Sequence, residues 1–197
     1  SRDVRLAIVD LKERGATNLV LDLRGNGGGL LQAAHEIASE LLPNNELIVY
    51  TRGENQKKTE LRSHRGGLFT QGTLVVMIDE YSASASEIIA GAVQDNDRGT
   101  IVGRRSFGKG LVQRQFSLTD GSAIWLTTAR YYTPSGRCIQ RPYDKGTDEY
   151  YSDFLNQLPQ NVMADTVLSQ VNDTTPYYTK KGRKVYGGGG IYPDHHL

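Results

Sequence analysis

The chain has 197 residues, the length of one domain or of one domain with a tail, and can bury about 70% of its unfolded surface without a disulfide or metal staple. Its single cysteine, Cys138, excludes an internal disulfide, and a formal net charge of +1 gives no overall electrostatic case for nucleic acid as a partner. No apolar run approaches the ~18 residues of a membrane span, and the one compositional outlier is glycine, at 22 residues, which fall in clusters.

The chain opens on Ser1-Arg2-Asp3-Val4, which already reads as helix, as expected of a processed product or a piece of something longer. Val4, Leu6, Ala7, Ile8 and Leu11 recur at roughly helical spacing and predict an amphipathic helix over 3–14, ended by Gly15. Leu19 to Leu23 is a short apolar run, expected as a buried strand. The glycine-rich stretch Gly25 to Gly29 follows, and then a helix from Leu30 that Pro43 stops. Leu47 to Tyr50 predicts a second strand, and 51–72 a long loop or weak hairpin. Leu74 to Asp79 is the clearest strand, followed by a small-residue turn and a helix from Ala85 to Gln94. Thr100 to Gly103 closes this part as a short strand. Alternation of strand and helix predicts an α/β core with parallel pairing and right-handed crossovers. Leu111 to Leu118 and Ala123 to Tyr131 flank an Asp120-Gly121 turn and predict an antiparallel hairpin added to that core. From Tyr143 the composition shifts to Tyr, Asp, Asn, Thr and Lys. Residues 143–197 are expected as an accessory segment lying on the core, with one helix around 161–171.

Several residues could carry chemistry. Ser84 and Glu87 have the Ser-x-x-Glu spacing of a capping box, at the junction of the best strand and a helix. A serine there is a plain helix cap or a nucleophile whose oxyanion would meet the free N–H groups of the first turn; position alone does not separate the two. A nucleophile needs a base. His35 lies in a helix, His64 in a polar loop, and His195 and His196 at the end of the chain. None is placed for a Ser-His-Asp triad, and no HExxH or Cys/His spacing suggests a metal site. Lysine is the other base a serine can use, provided its amine is neutral near pH 7 against an ordinary pKa of about 10.4. Lys109 sits between Gly108 and Gly110, with Phe107 as a dry wall and Arg104 and Arg105 as crowding cations if they turn inward. Gly25 to Gly29 fails both the dinucleotide and the P-loop spacing, because Leu30 stands where a glycine is needed and no Gly-Lys-Ser/Thr follows. The stretch is a tight turn or a source of backbone N–H donors.

Taken in order, these segments resemble one family. The segments are Asp22-Leu23-Arg24-Gly25-Asn26-Gly27-Gly28, Tyr81 to Ile88 running on to Gln94-Asp95, and Phe107-Gly108-Lys109-Gly110-x-Val112-Gln113. Tyr131 to Arg137 with Ile139-Gln140, and Gly189-Gly190-Ile191-x-Pro193-Asp194, complete the set. The chain is identified on these motifs as similar to the C-terminal processing (tail-specific) serine peptidases. The resemblance implies a crotonase/ClpP-like α/β core over 1–142, Ser84 as nucleophile and Lys109, 25 positions later, as general base. Gln113 would orient the lysine, since alternate residues of a strand share a face. Ala85 and the Gly27–Gly28 loop would form the oxyanion hole, with Ser82 and Ser86 as hydrogen-bonding neighbours. Asp95 matches an acidic position of the family whose role stays open. Protein or peptide substrates, no cofactor, no nucleic acid, a bacterial cell-envelope location (periplasmic or extracytoplasmic), room for a homo-oligomer and a PDZ domain ahead of the core in the parent chain follow from the same resemblance. A non-catalytic ligand-binding module on the same fold is the alternative.

Overall fold

A computed structural model describes residues 1–54, 56–144, 146–148, 150, 152 and 173–197. The helix expected around 161–171 lies outside the described residues. Among the described residues, two four-stranded sheets and three helices make up the body of the structure. The elements are α1 (Arg2–Glu13), β1 (Asn18–Asp22), α2 (Leu31–Leu41), β2 (Leu47–Gly53) and β3 (Gln56–Arg62). After them come β4 (Thr73–Ile78), α3 (Ala85–Asp95), β5 (Thr100–Gly103), β6 (Leu111–Ser117) and β7 (Ala123–Tyr132). The C-terminal part adds β8 (Asp173–Tyr178), β9 (Lys184–Gly187) and β10 (His195–His196).

The first sheet runs β1-β4-β5-β10, and every pairing in it is parallel. Its middle strand β4 is an apolar run in which Leu74, Val76 and Ile78 are buried, as a strand covered on one face by helices requires. The second sheet runs β3-β2-β7-β6 and is antiparallel. Here the structure differs from the alternation argument: β2 follows α2 but does not join the parallel sheet. It pairs instead with β3, formed from the stretch read as loop or weak hairpin, and with β7. Sequence alternation fixes that a strand follows a helix, but not which sheet edge receives it. The β6–β7 pair turns at Asp120-Gly121, where Leu118 N–H meets the Ser122 carbonyl and Gly121 has φ of 85°. It forms half of the second sheet and is not a separate appendage.

Helix α3 is the hub. Every residue from Ala85 to Asp95 is buried, and the helix packs on α2, β2 and β5. Small residues permit this. A side-chain carbon on Gly91 would lie 2.9 Å from Thr133 Cγ2 and 3.2 Å from Ile191 Cδ1. The described C-terminal residues are built into the body. β10 extends the parallel sheet beside β5, Asp194 N–H donates to the Ile101 carbonyl, and Ile191 is completely buried in the core.

Candidate active site

The site lies where β1 and β4 end and α3 begins. Parallel strands deliver their C-terminal ends to one edge, and the loops that follow them meet there. After β1 the chain turns through Leu23 to Gly28; after β4 it turns through Asp79 to Ser84. A lattice of hydrogen bonds joins the two turns. Asp79 accepts from Gly25 N–H at 2.9 Å and from Tyr81 and Ser82 N–H at 3.0 Å. Ser82 Oγ donates to the Leu23 carbonyl at 2.8 Å, and Ser86 Oγ to the Asn26 carbonyl at 3.0 Å. Ala83 N–H donates to the same Asn26 carbonyl. Gly28 closes the contact. Its φ is +97°, and a side-chain carbon there would lie 2.5 Å from the Ala83 oxygen, 2.8 Å from Ala85 N and 2.9 Å from Ser84 Cβ. Only glycine allows that approach, so Gly28, Ser84 and Ala85 are neighbours in space.

Ser84 has φ 56° and ψ −112°, outside the ordinary left-handed well for a residue with a side chain. The strain is held at both ends, by Ser84 N–H donating to Glu87 Oε2 at 2.8 Å and by Ile88 N–H donating to the Ser84 carbonyl. Such a backbone costs about 1–3 kcal/mol and persists where the surroundings over-determine it. Replacing Ser84 by glycine relieves it. After the extra chain entropy of glycine, about 1 kcal/mol of added stability is expected, a Tm rise of about 2–4 °C for a chain of this size. Thermal melts compared with Ser84→Ala, which keeps the strain, check this; equal Tm values for the two variants would remove the strain argument.

Glu87 is the centre of the arrangement. It is fully buried and receives four donors: Ser106 Oγ at 2.6 Å, Gly108 N–H at 2.7 Å, and Lys109 and Ser84 N–H at 2.8 Å each. Burial pushes its carboxyl above the usual range, while the four donors pull the other way. The capping box seen in the sequence therefore does more than cap. Its glutamate also grips the backbone of the lysine loop, so the backbones of Ser84 and Lys109 hang from one carboxylate. Phe107 N–H donating to the Ser82 carbonyl adds a second tie.

Other expected neighbours fall elsewhere. Arg104 and Arg105, expected as crowding cations for Lys109, are engaged with other partners. Arg104 Nε donates to Glu80 at 2.7 Å, and Arg105 donates to the Gly189 carbonyl and lies over the Tyr192 ring. Phe107 meets Arg141 and Tyr150. The strand argument that put Gln113 beside Lys109 also loses its basis. Lys109 precedes β6, a register shift separates Val112 from Gln113, and Gln113 is exposed. Gly28 N–H donates to Asn26 Oδ1 at 2.9 Å, so of the two loop glycines named for an oxyanion hole its N–H is already engaged. Asp95 sits at the far end of α3, about 15 Å along the axis from Ala85. It is paired there with Arg137 Nη2 at 2.8 Å, both side chains fully buried, and also accepts Ser135 N–H. Its surroundings are those of a structural ion pair that fastens α3 to the turn after β7. Asp22, in the first motif, is held by Arg24 with its carboxyl down at about 2. The lowered value means this pair adds stability above about pH 4 and loses it as pH falls toward 2.

Comparisons with known proteins give the family. Peptidase family S41 matches residues 1–150. The chain belongs to peptidase family S41. A carboxyl-terminal-processing protease of Synechocystis is 41% identical over 175 residues, 89% of this chain and 38% of that protein. One from Bartonella bacilliformis is 46% identical over 143 residues, 70% of this chain and 33% of its own length. Among solved structures, a photosystem II D1 C-terminal processing protease superposes with a TM-score of 0.61 at 39% identity, covering 69% of this chain and 35% of that one. This S41 chain thus spans about a third of the length of the relatives it matches. Those relatives are bacterial and, in Arabidopsis, chloroplastic. No described helix of this S41 chain is long and apolar enough to cross a membrane.

Proposed function

We propose that this chain carries the serine endopeptidase centre of a C-terminal-processing peptidase, with Ser84 as nucleophile and Lys109 as general base. The observation that carries the reading is the Glu87 carboxylate, which accepts the N–H groups of both residues and so couples nucleophile to base. Neutral Lys109 Nζ takes the Ser84 hydroxyl proton as Oγ bonds to the carbon of a peptide carbonyl. The resulting oxyanion is met by Ala85 N–H, at the first helical position where the helix supplies no acceptor, and by Gly27 N–H. Gly28 serves as the close-approach residue, its own N–H held by Asn26. Protonated Lys109 then gives its proton to the leaving amine as the C–N bond breaks. Water, deprotonated by Lys109, attacks the acyl carbon and releases Ser84.

The parallel β1-β4-β5 sheet with α3 behind it supports a crotonase/ClpP-like core. Partners follow from the same reading: protein or peptide substrates, a PDZ domain of the parent chain that takes their C-termini by strand addition, and assembly into a homo-oligomer. The bacterial cell envelope is the proposed location. The presence of both Ser84 and Lys109 favours the peptidase over a ligand carrier.

A serine-directed phosphonate applied to the full-length protein tests this. Mass spectrometry is expected to find the adduct on Ser84, to lose it in Ser84→Ala and to keep it in His64→Ala. An unlabelled wild type that binds apolar ligands tightly would instead mark a carrier.

A further inference from the structure

The C-terminal segment reaches this site through one hydroxyl. Ser106 is completely buried, as are Glu87 and Ile191. Ser106 Oγ receives the Ile191 N–H at 2.6 Å and lies 2.6 Å from Glu87 Oε1. A hydroxyl has one proton to give. With Ile191 N–H on one lone pair, that proton is committed to Glu87, at the short distance of a charge-assisted bond. Ser106 N–H returns to the Ile191 carbonyl at 3.0 Å, so the two residues grip each other by backbone and side chain.

The fit is tight on the other side as well. Gly190 has φ +95°, and a side-chain carbon there would lie 2.4 Å from the Ser106 carbonyl oxygen and 2.7 Å from its Oγ. Gly188 and Gly190 N–H donate to the Cys138 and Ile139 carbonyls, which fixes the segment that carries Ile191. Among the described residues, Glu87 holds beyond Ser106 only backbone N–H groups, those of Ser84, Gly108 and Lys109. Displacing the Glu87 carboxylate therefore moves nucleophile and base relative to each other.

We infer that Ser106 is a positioning residue, through which Ile191 of the C-terminal segment sets the place of Glu87 and so the relative placement of Ser84 and Lys109. The inference rests on the proposed Ser84–Lys109 reading. Ser106 touches no substrate in this scheme and acts only through Glu87.

The test uses the full-length protein and Ser106→Ala. The phosphonate labelling rate at Ser84 and kcat on an unfolded protein substrate are expected to fall roughly 10²-fold, the cost of about 1 Å of misplacement. KM is expected to stay within about twofold, because substrate contacts are untouched. Ser106→Thr keeps the hydroxyl and is expected to recover most of the rate. Leu74→Ala, a buried change in β4 away from the site, serves as the stability control and is expected to lower Tm while labelling at the wild-type rate. Amide exchange supplies a readout independent of activity. Gly108 and Lys109 amides are expected to lose roughly tenfold of their protection in Ser106→Ala, while the interior amides of α3 keep theirs. Wild-type labelling and exchange in Ser106→Ala overturn the inference, as does a rate that merely follows Tm as in the Leu74 control. A wild type that takes no label at Ser84, with exchange altered as expected, overturns the dyad reading and leaves the link from Ser106 to Glu87 standing.

Discussion

Lys109→Ala is expected to lower kcat/KM by about 10³-fold or more, the scale of a positioned general base. Tm is expected to change little, because the Lys109 side chain is half-buried and makes no hydrogen bond among the described residues. Lys109→Arg is expected to be as inactive as alanine, since a guanidinium stays charged and cannot take the Ser84 proton. The histidines supply the contrast. His35 Nε2 is 2.7 Å from the Arg62 carbonyl, His64 Nδ1 is 3.1 Å from the Arg65 carbonyl, and the two rings meet each other 5.9 Å apart. They belong to the edge around β3, so His35→Ala and His64→Ala are expected to keep wild-type turnover. Steady-state cleavage of an unfolded protein by the four variants decides the matter. Retained activity in Lys109→Ala together with loss in His64→Ala would remove lysine from the mechanism.

Glu87→Gln carries the second large effect. Gln has the same shape but presents an NH2 group where one carboxylate oxygen accepted two donors. Two of the four buried donors around residue 87 then lose their acceptor, and each unsatisfied group costs about 1–3 kcal/mol. For a chain of this size a loss of about 3 kcal/mol lowers Tm by about 6–12 °C. Labelling of Ser84 is expected to fall together with stability, because the lost donors are either the Ser84 and Lys109 N–H groups together or Ser106 Oγ and Gly108 N–H, on the loop that carries the lysine. The pH dependence has a definite sign. Burial raises the Glu87 carboxyl in the folded state, so its contribution to stability is greatest below the ordinary carboxylate range and declines as pH rises through the folded value. That slope is expected to vanish in Glu87→Gln. Thermal melts of both proteins across acidic and neutral pH check it, and an unchanged slope in the variant would assign the dependence to another group.

Much of the local structure was legible because it depends on residues close in sequence. The apolar spacing in α1, the β-rich run of β4 and the Asp120-Gly121 turn each carry their own period or dihedral preference. The β3 strand was weaker: Gln56 to Arg62 is polar and sits on an exposed edge, so it has little apolar alternation to read. The placement of β2 in the second sheet was not legible, because a strand carries no local mark of its sheet. At the site, the order of the motifs pointed to Ser84, Lys109 and the glycine loop. Missing from that list were Asp79, which binds the two turns together, and Ser106, which joins the C-terminal segment to Glu87. Both are single polar residues whose partners lie 54 and 85 positions away.

The sequence by itself determined the elements, the turn glycines and the family, because these follow from spacing and from residue types in a fixed order. Only the tertiary structure decided what each charge faces. Asp95 found Arg137 and became an internal tie, Arg104 and Arg105 turned to Glu80 and Gly189, and Glu87 gathered four donors from two segments. A buried polar group must be satisfied by whatever the fold brings within hydrogen-bond reach, and that neighbour is set by packing and not by position along the chain.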